Sequence, residues 1–147
     1  MFEVATGAAF PPEDAGTRRQ AAVRTAFNSL LQIRRLTNAD VKDPLSVPAA
    51  WERTQMVRAV ALSLEAAGIP PSAVDASGKR ITTGYCVITD GPGTVRVDWL
   101  GPRGSGAQYQ AAQQLSGCAA VLRGLGWVVL EYRGGGNRRY LAVEPPR

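Results

Sequence analysis

The chain has 147 residues, 45% hydrophobic and 20% charged, an ordinary balance for one globular domain with room for a sizeable core. Its net charge is +5 at pH 7, which favours acidic partners, and no apolar run reaches the ~18 residues needed to span a bilayer. There is no histidine, which removes the commonest general base, the usual partner of a catalytic Ser or Cys, and the commonest metal ligand.

The opening MFEVATGAAFPPEDAG lacks a basic start and a long apolar segment, so it does not read as a signal peptide and a cytoplasmic protein is expected. Residues 1–14 are expected to form a loose arm ending in Pro11-Pro12-Glu13-Asp14. Val23, Phe27, Leu30 and Leu31 fall on one face of a helix over Ala15–Leu36. Arg18, Arg19, Arg24, Arg34 and Arg35 lie outside that stripe, on what reads as the solvated side. A polar link follows, and a second helix is expected from near Ser46, as its cap, or just after it with Pro48 in the first turn, with Trp51, Val57, Val60, Ala61 and Leu64 on its buried side. Gly68, Ile69 and the two prolines after them fit a glycine-terminated end. The two helices, spanning residues 15–68, are expected to pack as an antiparallel pair.

Residues 70–79, PPSAVDASGK, read as a linker, after which the apolar period changes to two. Arg80–Thr89 and Thr94–Leu100 read as strands joined by Asp90-Gly91-Pro92-Gly93, with Val95, Val97 and Trp99 facing the core. A helix over Gly106–Leu125 comes next, ended by Gly124 or Gly126. A second hairpin, Trp127–Tyr132 and Arg139–Glu144, closes the chain. The expectation is an α+β fold, with an N-terminal helix pair and an 80–147 ββαββ module whose antiparallel sheet is covered by one helix. About 70 residues make a marginal core alone, so a single domain over 1–147 is favoured.

A strand, the turn Gly101-Pro102-Arg103-Gly104-Ser105-Gly106, a helix and a strand carrying Glu131 sketch a dinucleotide-binding unit. The details oppose it. The first strand alternates Arg96 and Asp98 with apolar residues, whereas a buried parallel strand is continuously apolar. The glycines also have the wrong spacing, and Glu131 lies beyond the about 20 residues the fingerprint expects. What remains is a weak anion site, with the backbone N–H groups of Gly104, Ser105 and Gly106 at a helix N-terminus beside Arg103.

The positive charge is nearly all arginine, since Lys42 and Lys79 are the only lysines among 17 basic residues. Arginine suits phosphate, although a GC-rich genome would produce the same excess. Arg133, Arg138 and Arg139 flank Gly134-Gly135-Gly136 and form the best functional lead, a basic finger at a hairpin tip. Arg18, Arg19 and Arg24 could follow a phosphate backbone along the first helix. Tyr132 and Tyr140 flank the second hairpin, where they could stack on a base or simply on each other. The Gln-rich helix segment (Gln108, Gln110, Gln113, Gln114) and Trp127 suit a packed or oligomeric face.

Cys86 and Cys118 sit in apolar context and read as buried small hydrophobes. Asp98 and Glu131 are the only carboxylates on strands that could adjoin, and among arginines they read as ion-pair partners. No nucleophile has a base beside it. The short arginine-rich chain, with its VRVDWL…GW-VVLEY…YLAVEP module, is similar in general look to accessory proteins of GC-rich bacteria, their phages and plasmids. That likeness names no family and carries over no functional residue. The expectation is a non-enzymatic nucleic-acid-binding accessory or regulatory protein that needs no cofactor, metal or membrane. The alternative is a protein-interaction or assembly module of phage or mobile-element type, homo-oligomeric in one form.

Overall fold

The computed structural model describes residues 2–147, the side chain of Asn137 excepted. It is an α+β fold in which α1 (Gly16–Thr37), α2 (Ala50–Thr54) and α3 (Met56–Ala66) precede a small hairpin, β1 (Ala73–Val74) and β2 (Arg80–Thr82). Then follow β3 (Gly84–Thr89), β4 (Val95–Leu100), α4 (Ala107–Gly124), β5 (Val128–Arg133) and β6 (Arg139–Glu144). The last four strands form an antiparallel sheet in the order β3-β4-β6-β5.

Period-two alternation sorts the sheet into two faces. Val87 lies opposite Val97, and Val97 opposite Leu141; beside that row, Val95, Val143 and Val129 align. All six are buried. They meet Leu115, Cys118 and Leu122 of α4, Val60 and Leu64 of α3, and Val23 and Leu30 of α1 in one core cluster. Two helices therefore cover the inner face where one was expected, because α3 lies against β3 while α4 crosses β4, β5 and β6. Among the described residues no helix lies on the other face.

Ion pairs at both ends hold α1 antiparallel to the helices after it. Arg19 near its start binds Glu65 of α3, and Arg34 near its end binds Glu52 of α2. This corrects the reading of α1's arginines as a solvated set: Arg34 is completely buried, and Arg19 is mostly so. The second helix is also not continuous. Pro44–Ser46 form a single 3-10 turn, and the helix restarts at Ala50 and breaks at Gln55, whose φ of −129° is not helical. Ser46 does not cap it. The Glu52 carboxylate does, accepting from the Ala49 amide at 2.9 Å.

Residues 2–9 are not loose. The Val87 amide donates to the Thr6 carbonyl and the Val74 amide to that of Ala9, so this segment lies along the outer edge of β3. Gly7 is required there: its φ is +88°, and a Cβ would run into the Tyr85 carbonyl. The 70–79 linker likewise holds structure, since it folds into β1 and bridges Pro71 to Tyr85. At the end of α4, Gly126 (φ +91°) closes a Schellman turn, with Trp127 N–H donating to the Leu122 carbonyl.

Candidate nucleic-acid interface

β5 and β6 run into a glycine tip, where Gly136 takes φ +68° and the Gly134 amide donates to the Arg138 carbonyl at 2.6 Å. The register places Arg133 directly opposite Arg139. Arg133 and Arg138 are exposed and Arg139 is half-buried. Among the described residues none of the three side chains has an acidic partner. Like charges facing each other across a strand pair destabilise it, and an anion between them removes that cost.

One residue inward, Tyr132 lies opposite Tyr140, with ring centroids 5.3 Å apart and planes inclined by 14°. On the other side of Tyr140, Arg96 of β4 sets its guanidinium 4.0 Å from the ring centroid. Asp98 fixes Arg96 through hydrogen bonds of 3.1 Å, and this carboxylate holds the guanidinium pKa above its usual value. These side chains stand on the face that no helix covers, beside exposed Ile88, Val128 and Leu130.

A groove of about 880 Å³ opens at the tip end of the sheet. It exists because β4 continues to Leu100 while its pairing with β6 stops at Asp98 opposite Tyr140. Arg96, Arg138 and Arg139 line it together with Trp99, Gln108 and Tyr109. Tyr109, 85% exposed at the start of α4, stands out as a large ring in water. The alternation of VRVDWL turns Arg96 outward. Its approach to Tyr140 depends on β6 lying next to β4, which the sequence does not announce.

The remaining candidates are dispersed. Arg18, Arg19 and Arg24 do not line the groove. Arg19 is engaged by Glu65 at 2.8 and 3.0 Å and lies 4.7 Å from the Phe2 ring centroid, so it works in the fold. The Glu65 hydrogen bond raises its pKa. Arg18 and Arg24 are exposed, with Asp14 3.8 Å from Arg18. In the glycine loop the Ser105 amide is engaged by the Pro102 carbonyl and the Ala107 amide by the Ser105 hydroxyl, which leaves fewer free donors for an anion beside exposed Arg103.

Asp98 and Glu131 do not adjoin. β6 separates their strands, and each pairs with its own arginine, Arg96 at 3.1 Å and Arg123 at 3.5 Å. Both cysteines are buried and free, and burial pushes the Cys118 thiol up to about 12. Trp127 is 3% exposed, which removes it as a surface contact. Among the described residues no cluster of His, Cys, Asp and Glu could hold a metal ion, and no helix is long and apolar enough to cross a membrane. No family model, curated protein or solved structure matches this chain.

Proposed function

We propose that this chain is a non-enzymatic accessory or regulatory protein that binds nucleic acid through the β5–β6 tip and the uncovered sheet face beside it. The observation that carries the reading is the unneutralised facing of Arg133 and Arg139, with Arg138 next to them, beside the Arg96–Tyr140–Tyr132 stack. Arginine forks match phosphate oxygens bidentately, and aromatic rings supply contact area that does not depend on base sequence. Exposed Arg18 and Arg24 add positive charge elsewhere and contribute to long-range attraction more than to the site.

The test replaces Arg133, Arg138 and Arg139 with Ala together. Melting temperature changes little, because a glycine-rich surface tip contributes little packing. Affinity falls by a similar factor for all sequences, and the dependence of log K on log salt flattens by about one unit for each phosphate no longer neutralised. Unchanged affinity in the triple variant rules out the tip as the site.

One observation favours the second reading, an assembly module. The exposed side of α4 (Tyr109, Ala112, Gln113, Ser116, Gly117, Ala120) carries no charge before Arg123 in the last turn, whereas solvated helix faces normally do. On that reading Tyr109→Arg dissociates an oligomer in sedimentation experiments, and the arginine triple variant does not.

A further inference from the structure

Building on the nucleic-acid reading, we infer that the site takes an unpaired nucleobase stacked on the free face of Tyr132, so that its ligand is a single strand and not a duplex. The strand order places β5 at the sheet edge, with β6 on one side and, among the described residues, no strand on the other. Tyr140 has both faces occupied, by Arg96 from the β4 side and by Tyr132 from the β5 side. The Tyr132 ring is inclined by only 14° to that of Tyr140, so its second face points past the edge of the sheet. The residue is 44% exposed. The stack is thus closed at one end by a guanidinium and open at the other.

A planar aromatic group continues such a stack at the same spacing. A base within a duplex has both faces covered by its neighbours and must be extruded before it can stack on protein, whereas an unpaired base needs no such step. The charge distribution fits a base joined to phosphates. Asp98 offsets Arg96 at the closed end, while Arg133, next after Tyr132 in the chain, alternates to the opposite side of the sheet, where it faces Arg139. A strand with a base on Tyr132 brings its phosphates to these arginines by turning around the β5 edge.

The test compares three fluorescent ligands of equal length on the wild-type protein by anisotropy: a single strand, the same strand with abasic sites, and a duplex. The intact strand binds tighter than the abasic one by roughly five- to 150-fold, the range expected for one stacked base. Tyr132→Ala abolishes this difference and Tyr132→Phe keeps it, with the salt dependence unaltered in both because the phosphate contacts remain. Equal binding of intact and abasic strands by the wild-type protein overturns the stacking inference and leaves the phosphate reading standing. A duplex bound as tightly as the single strand overturns it as well. Failure to bind any of the three at low salt removes both readings.

Discussion

Arg34 has no exposed surface, yet four of the five N–H groups of its guanidinium are engaged. It donates to Glu52 at 2.8 and 2.7 Å, to the Leu45 carbonyl at 2.8 Å and to the Leu125 carbonyl at 2.7 Å. One side chain thereby ties α1 to the 3-10 turn, to α2 and to the end of α4. Burying two charges is unfavourable unless each finds its partner, so removing one costs far more than the pair contributes over an apolar substitute. Glu52→Ala is expected to destabilise the fold by about 3–5 kcal/mol in chemical denaturation, with an effect well short of the sum when Arg34→Met is combined with Glu52→Leu. A loss under about 1 kcal/mol for Glu52→Ala would show that the pair does not join these elements.

Elements outside the four-stranded sheet manage its edges. Residues 2–9 lie along β3, where the single proton of the Tyr85 hydroxyl is shared between the Ala5 carbonyl at 2.7 Å and that of Ala61 at 3.1 Å. Arg80 donates to the Gly7 carbonyl and Arg19 to that of Glu3, so two more side chains clamp the segment. An uncovered strand edge is a template for pairing with another chain. Deleting residues 1–9 is therefore expected to lower the melting temperature, to speed hydrogen exchange at the Val87 amide, and to raise light scattering at high concentration. A monomeric protein of unchanged stability would contradict this role. At the opposite edge Arg123 reaches from α4 to the Val129 carbonyl at 2.7 Å and to Glu131 at 3.5 Å, leaving the outer face of β5 open while restraining its inner side.

The core holds three neutral acids, Tyr85, Cys86 and Cys118, and burial raises the pKa of each. The Cys118 thiol is carried from 9.0 to about 12. In the unfolded chain all three ionise near their ordinary values, so between those values and the folded ones the unfolded state holds fewer protons. Stability is then unaffected by these groups below about pH 9 and falls as pH rises above it, with a limiting slope of about 1.4 kcal/mol per pH unit for each group. Cys118→Ala is expected to make the decline between pH 9 and pH 12 shallower while costing some stability at neutral pH through poorer packing. Urea midpoints measured across that range check the sign. A decline of equal steepness in the variant would mean that the thiol does not titrate on unfolding.

Local features are legible in the chain alone. Helical spacing places α1 and α4 to within a residue or so, alternation orients β4, and Gly68 and Gly126 mark helix ends because a left-handed backbone excludes most other residues. Periodicity within one element says which residues share a side, but it does not say what stands opposite them. It therefore reads Arg34 as solvated, although Glu52 and two carbonyls engage it, and residues 2–9 as loose, although β3 offers them its edge. The arginine tip is legible as a cluster because its residues are neighbours in the chain. The Arg96–Tyr140–Tyr132 stack is not. It draws on three strands, and only the sheet order β3-β4-β6-β5, set by burial of the common apolar face against α3 and α4, brings Arg96 to one side of Tyr140 and leaves Tyr132 at the edge.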